Sequence, residues 1–328
     1  MRRFFTIFFA GLVCTAIGAG FAGAGPIRDL LKNLKEKRNG AETSAVLQPV
    51  TISFQGVDRT FYVYVPQSAV GVANVPAVMV FHGGGGDAVG VATSSDMIDV
   101  AQALGFVAIF PEVVSGQWND GRSVSAGSYD DVGFVRAIIS NAEGLIGVDL
   151  GRVFAAGISN GGMFTQRLSC DAADLFSAVA VISANMPDEY RSACNPSRSV
   201  PKVFFNGTDD PIMPWSGGEI KSLKALGFGA GGSVMSHQQT QEFWLAQDGC
   251  SAAGSTRSLP DSANDGTTVS LQSFTNCSGS TQLSFYEIEG GGHSWPGSSE
   301  RARRMAGTIS QDVSATAEMI GFFQGYGL

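Results

Sequence analysis

The chain alternates short, wholly apolar runs with longer stretches in which apolar residues recur every three or four positions. Continuous apolar runs of this length are typical of parallel strands buried on both faces of a sheet, and the longer stretches have the helical period. The predicted strands are PAVMVF (76–81), GFVAIFP (105–111), RVFAAG (152–157), SAVAVIS (177–183), PKVFFN (201–206) and LSFYEIE (283–289). The predicted helices span 91–104, 130–146, 160–169, 236–247 and 309–324.

Two further strands precede this series. VTISF (50–54) and TFYVYVP (60–66), joined across Gly56 and Asp58, predict an antiparallel hairpin. The whole pattern predicts an α/β fold with a mostly parallel central sheet, helices on both faces and an N-terminal hairpin. The Gly-rich stretch 227–233 and the polar segment 251–281 are interpreted as surface excursions, so residues 45–328 form one predicted domain.

The N-terminus has a different pattern. Arg2 and Arg3 precede an apolar stretch that ends at Ala22-Gly23-Ala24, which predicts a secretory signal peptide over residues 1–24. Residues 25–44 follow as a basic lead-in segment. An uncleaved membrane anchor is the alternative. We therefore expect a secreted or periplasmic protein that has no membrane partner once the signal is removed.

Charge narrows the range of partners. The formal net charge is −8 at pH 7, and removing the predicted signal peptide would take away two arginines and no acid. Nucleic acids and anionic membranes both need a basic footprint, so neither is an expected partner.

The cysteines agree with export. Of five cysteines, four follow the predicted signal peptide: Cys170, Cys194, Cys250 and Cys277. An even number in an exported chain predicts disulfides with three possible connectivities. We favour the sequential pairing, Cys170–Cys194 and Cys250–Cys277, because each bond would close a loop of moderate length. The spacing matches no zinc site, and no metal is predicted.

The first candidate for chemistry is GISNGG (157–162), which follows a predicted strand and opens a predicted helix. It matches the G-x-S-x-G turn that exposes a nucleophilic serine, here Ser159. A serine that only caps the helix is the alternative.

The second candidate is FHGGGGD (81–87), which directly follows another predicted strand. Ester hydrolysis passes through an oxyanion that needs preformed N–H donors, and consecutive glycines leave such donors unshielded. We expect donors from Gly83, Gly84 and Gly85 together with Asn160, and we expect His82 to brace the loop. A phosphate cradle is the alternative, but no G-K-[ST] follows.

A serine nucleophile needs a base, and the chain has three histidines. His82 belongs to the glycine loop, and His237 opens a predicted helix where a surface position is expected. His293 stands in EGGGHSWPG after the last strand, where this class of fold presents its base. The acid is expected after PKVFFN, and spacing alone does not choose between Asp209 and Asp210.

Six motifs in this order resemble the polyhydroxybutyrate depolymerase-like esterases, secreted α/β-hydrolases related to feruloyl and acetyl xylan esterases. The resemblance covers about residues 45–325 and rests on FHGGGGD, WNDGR (118–122), DDVGFVRAII (130–139), GISNGGMF, NGTDDPIMPW (206–215) and GGGHSWPG (290–297). It implies the α/β-hydrolase fold, Ser159 as nucleophile, His293 as base and Asp210 as acid. It implies the same cysteine pairing. Asn206 stands where the family commonly has His.

The resulting expectation is a serine carboxylic-ester hydrolase without a cofactor, acting on a small ester or on the end of an oligomer or polymer. Trp118, Trp215 and Trp295 border motifs and could wall an acyl or aryl pocket or simply pack in the core. A peptidase or acyltransferase on the same fold, and a catalytically inactive binding protein, are the alternatives. Because one predicted helix follows His293 and no linker is recognisable, we expect short-chain or aryl esters to be preferred over crystalline polyester.

Overall fold

The computed structural model describes residues 47–127, 129–221, 231–251, 253–299 and 306–328, together with Asp29. The predicted signal peptide and, Asp29 apart, the lead-in segment lie outside the described residues. Within these ranges, no helix combines the length and the apolar character needed to cross a bilayer.

A single large sheet forms the centre of the described structure. The strands are β1 (Gln48–Phe54), β2 (Val57–Tyr64), β3 (Val75–Phe81), β4 (Val107–Pro111), β5 (Val148–Ile158), β6 (Ala178–Ile182), β7 (Lys202–Gly207), β8 (Gly218–Glu219), β9 (Ser233–Val234), β10 (Ser255–Ser258), β11 (Thr268–Phe274) and β12 (Leu283–Glu289). Ten of these described strands lie in the order β1-β2-β4-β3-β5-β6-β7-β12-β11-β10, and β8 pairs only with β9. The six strands from β4 to β12 are parallel, and the outer pairs are antiparallel. The predicted mostly parallel sheet with an N-terminal hairpin is confirmed.

Helices cover both faces of this sheet. They are α1 (Ala88–Ser94), α2 (Met97–Leu104), α3 (Asp131–Ile146), α4 (Asn160–Asp171), α5 (His237–Gln247) and α6 (Ala315–Gln324). Successive strand residues point to opposite faces. Val78 and Val80 of β3 therefore pack with α1, α2 and α6, whereas Ala77 and Met79 pack with α3 and α4. The apolar runs are thus buried on both sides, as their composition predicts.

Two elements differ from the expectation. The helix predicted over 91–104 is divided into α1 and α2, because Asp96 has a left-handed φ of 51°. The polar segment 251–281 is more than a surface excursion, since β10 and β11 extend the sheet beyond β12. In β11, Val269 and Leu271 are buried while intervening residues are polar, a period of two within a polar stretch.

Candidate active site

Ser159 lies on the turn between β5 and α4, the strand–turn–helix setting that its motif predicts. Its φ of 58° and ψ of −124° are unusual for a residue with a side chain, and such strain costs about 1–3 kcal/mol. A Cβ at Gly157 would approach the Gly161 carbonyl oxygen to less than 3.0 Å, and one at Gly161 would approach the carbonyls of residues 81 and 82 as closely. The two glycines therefore let the strained turn pack directly against the neighbouring backbone.

The glycine loop after β3 lies beside this turn. A Cβ at Gly83 would sit 3.3 Å from the Cβ of Ser159, and one at Gly84 would sit 3.7 Å from the Cβ of Asn160. Asn160 begins α4, where amides lack intrahelical acceptors and carry partial positive charge. No acceptor within the described ranges receives the amides of Gly83, Gly84 or Asn160. These three N–H groups are therefore free to bind an anion.

Gly85 differs from that expectation, because its N–H donates to the Gly116 carbonyl at 2.8 Å. It is therefore not a free oxyanion donor in this structure. His82 braces the loop as predicted: Nδ1 lies 2.8 Å from the carbonyl oxygen of Gly83, and Nε2 lies 3.0 Å from Oε1 of Glu112.

His293 and Asp210 meet on the loops after β12 and β7. Nδ1 of His293 is 2.7 Å from Oδ2 of Asp210. Oδ1 of Asp210 accepts the backbone amides of Ile212 at 2.8 Å and Met213 at 2.7 Å. The neighbouring Asp209 is exposed and instead accepts a bond from Thr208. Of the two adjacent aspartates, only Asp210 is bonded to the histidine.

Ser159 and His293 line one cavity of about 280 Å³. The glycine loop forms part of its wall, and the other side is mostly apolar. Its apolar lining consists of Val91, Ile158, Ile212, Trp295, Ala306 and Ile309. A reactive serine, an imidazole and free backbone amides thus face a small apolar space, which is the arrangement that acyl transfer requires.

Only one of the three tryptophans lies on this cavity. Trp295 lines it and donates through Nε1 to Thr316 Oγ1 at 2.9 Å. Trp118 is fully buried, stacks on Phe164 at 5.2 Å and lies outside the cavity lining. Trp215 also lies outside the lining and stacks on His237 at 4.1 Å. The pocket interpretation is therefore wrong for Trp118 and Trp215, because both rings are used for packing.

The expected surface position of His237 is also wrong. Its side chain is buried against Trp215, and Phe285 approaches it edge-on. Nε2 of His237 lies 3.2 Å from Oε1 of Glu287, and this contact holds the pKa of the Glu287 carboxyl below its usual value. A tertiary partner on β12 therefore makes burial of this polar ring possible.

The sequence interpretation missed a buried polar network behind the site. Asp120 and Arg122 form an ion pair of 2.6 Å, and both side chains are almost wholly buried. Asp120 also accepts a bond from the Asn160 side chain at 2.7 Å. The signal was present in WNDGR, where an acid and an arginine stand close together beside a tryptophan, but the motif was used only for the family resemblance.

Both predicted disulfides are present. Cys170 is bonded to Cys194, and Cys250 is bonded to Cys277. Within the described ranges, no group of three or more His, Cys, Asp or Glu side chains is placed to hold a metal ion.

Comparison with known proteins places this geometry among esterases. No protein-family profile matches the chain. The protein named "Putative esterase NocK" from Nocardia uniformis subsp. tsuyamanensis is 25% identical over 297 residues, which cover 88% of this chain and 86% of that protein. Feruloyl esterase B of Piromyces equi is 26% identical over 243 residues, covering 72% of this chain and 42% of that protein.

A solved structure, the acetyl xylan esterase from Aspergillus awamori, superposes with a TM-score of 0.55 at 17% identity. The match covers 76% of this chain and 94% of that chain. It confirms the predicted α/β-hydrolase fold. The sequence relatives named here are esterases, as the family resemblance implied.

Proposed function

We propose that the protein is an exported serine carboxylic-ester hydrolase with Ser159 as nucleophile, His293 as base and Asp210 as acid. One observation carries the proposal. The hydrogen-bonded pair of Asp210 and His293 borders the same cavity as a serine held on a strained turn. Strain and a buried acid–base pair are costly to stability and are concentrated at sites of chemistry.

The chemistry follows from the geometry. Ser159 Oγ attacks the ester carbonyl carbon while the free imidazole nitrogen of His293 takes its proton. Asp210, bonded to Nδ1, fixes the tautomer and stabilises the imidazolium. The N–H groups of Gly83, Gly84 and Asn160 stabilise the oxyanion. The imidazolium then protonates the leaving alcohol, and water releases the acyl group by the same steps.

The substrate class is proposed from the cavity. A volume of about 280 Å³ is small beside the ~300–1,000 Å³ of typical ligand pockets, and its apolar wall includes one indole. A short acyl chain or a single aryl ring fits this description. Relatives named as feruloyl and acetyl xylan esterases support the same range. Hydroxyalkanoate oligomers, which the motif resemblance favours, would present an acyl group of similar size.

Purified protein tests the reaction class. We expect hydrolysis of p-nitrophenyl acetate without cleavage of the matching amide, and labelling by a fluorophosphonate probe that is absent in Ser159→Ala. A folded protein that neither hydrolyses the ester nor takes the label would instead be a binding protein on the same fold. Faster cleavage of the amide would indicate a peptidase.

A second assay resolves the substrate. Initial rates are compared on p-nitrophenyl butyrate, methyl ferulate, acetylated xylan, a hydroxybutyrate trimer and crystalline polyhydroxybutyrate. We expect the small esters and the trimer to be preferred. Clearing of the crystalline suspension at a rate that rivals the trimer would overturn the small-ester assignment.

Export has its own measurement. N-terminal sequencing of protein from the periplasm or medium should begin at Gly25, after the predicted signal peptide. Recovery of the intact N-terminus in the membrane fraction would favour the uncleaved anchor.

A further inference from the structure

A single segment joins the two halves of the candidate oxyanion hole. Residues 116–122, which we call the brace, lie between the glycine loop after β3 and the start of α4. From the brace to the glycine loop run two hydrogen bonds. The Gly116 carbonyl accepts the N–H of Gly85 at 2.8 Å, and Nε1 of Trp118 donates to the carbonyl of His82 at 3.0 Å.

The brace grips Asn160 as firmly. The backbone N–H of Trp118 donates to Oδ1 of Asn160 at 2.8 Å, and Nδ2 of Asn160 donates to the Trp118 carbonyl at 3.0 Å. Nδ2 has a second acceptor, Oδ2 of Asp120, at 2.7 Å. All the hydrogen-bonding directions of that amide used here therefore point into the brace, and the residue whose backbone N–H faces the cavity is held by its side chain.

Asp120 is the charged centre of this arrangement and is fully buried. Its carboxylate accepts from Arg122 through Nε at 3.0 Å and Nη2 at 2.6 Å, and also from Ser125 Oγ. A buried carboxylate is costly unless every oxygen is satisfied, so such a group is retained where its geometry matters. Here both oxygens are fully used, and one of them fixes Asn160.

We propose that Asp120 is a positioning residue for the oxyanion hole, acting through the side chain of Asn160; this rests on the proposed esterase function. An oxyanion donor acts by being in place before the charge develops, and small displacements weaken it strongly. Asp120 does not touch the substrate. It holds the first residue of α4 at the distance and angle that the glycine loop requires.

The test compares two buried ion pairs. Asp120→Asn places an NH2 group opposite either Asn160 Nδ2 or the donors from Arg122 and Ser125, so one donor must move away. The control is Asp248→Asn, which breaks the equally buried Lys202–Asp248 pair of 2.8 Å. Asp248 lies beyond the end of α5 and bonds to no residue of the candidate site in the described ranges.

We expect kcat of Asp120→Asn to fall about 10- to 100-fold, with KM changed less than about threefold, since one misplaced donor costs up to about 10²–10³. The inhibition constant of a trifluoromethyl ketone, whose adduct places an oxyanion in the hole, should weaken by the same factor as kcat/KM. Binding of the alcohol product, which forms no oxyanion, should be unchanged. Asp248→Asn should lower the thermal midpoint and leave all three quantities unaltered.

The outcomes separate the two proposals. If wild-type protein neither cleaves esters nor binds the ketone, the proposed function fails. If wild type is active but Asp120→Asn has wild-type kcat/KM and ketone affinity, Asp120 supports only the fold and the inference is overturned. Arg122→Lys keeps the charge but loses the two-nitrogen contact, and a several-fold fall in both quantities is expected. Should Asp120→Asn fail to fold, unchanged kinetics in Arg122→Lys would overturn the inference.

Discussion

The two ends of the sheet both bury charge, yet they use it differently. At the carboxyl ends of the strands, the Asp120–Arg122 pair lies beside a cavity and is bonded to Asn160, which begins the helix after Ser159. At the amino end of β7, Lys202 is bonded to Asp248 and its Nζ lies 4.0 Å from the centre of the Trp244 ring. Burial lowers the pKa of the Lys202 ammonium below its usual value.

Backbone strain follows the same division. Ser159 has a φ of 58°, and Ser183 at the end of β6 has a φ of 47°, with its hydroxyl donating to the carbonyl of Ser294 beside His293. The far end has instead the Cys250–Cys277 disulfide, next to an amide of Ser278 that donates to Asp248. The comparison teaches that this fold concentrates strain at the candidate site and cross-links at the opposite end. Substitutions at the two ends should therefore separate activity from stability.

The largest expected effect is on the nucleophile. Ser159→Ala should lower kcat about 10⁶-fold, because the remaining acceleration comes only from binding and the oxyanion hole. The backbone at this position stays equally strained, so the thermal midpoint should not fall. Ester assays and thermal unfolding check both statements, and retention of a tenth of the wild-type rate would remove Ser159 from the mechanism.

The next effect distinguishes the adjacent aspartates. Asp210→Asn should lower kcat about 10⁴-fold, because an amide at this position favours the wrong histidine tautomer. Asp209→Asn is the matched control, and it should keep nearly the wild-type rate since its carboxylate is exposed and bonds to Thr208. A larger loss from Asp209→Asn would contradict the assignment of the acid.

At the far end the expected loss is in stability alone. Replacing Cys250 and Cys277 together by Ser should lower the free energy of unfolding by about 3 kcal/mol and leave kcat unchanged, because the bond restricts mainly the unfolded chain. Denaturant unfolding measures this. The Cys170–Cys194 bond has a sequence separation of 24 against 27, so its removal should destabilise the fold by a similar amount. Unaltered unfolding in both double variants would exclude a stabilising role.

The smallest effect compares two glycines in helices. Gly161→Ala at the start of α4 would drive a Cβ into the carbonyls of Phe81 and His82, and overpacking of this kind costs about 1–3 kcal/mol. It should also lower kcat, because the glycine loop must move. Gly144→Ala in α3 meets nothing within 4 Å and should stabilise the protein by about 0.5–1 kcal/mol without changing kcat. Equal effects at the two positions would show that close packing at the turn is unimportant.

Local patterns predicted most of the framework. The eight predicted strands all exist, because buried parallel strands need continuous apolar runs and those runs are visible in the chain. The break between α1 and α2 was not predicted, since Thr316 in a distant helix donates to the carbonyl of Ser95 and helps to hold that turn. β11 was missed because its inward residues alternate with polar ones inside a polar segment.

The sequence by itself determined the strand–turn–helix setting of Ser159, the free amides of the glycine loop and the loop that presents His293. Each of these depends on residues that are neighbours in the chain, so a short motif specifies them. Only the tertiary structure decided that Asp210 rather than Asp209 bonds to His293 and that Asn160 is held by Asp120. These contacts join loops that are far apart in the sequence, and their direction depends on how the strands pack, which no local pattern records.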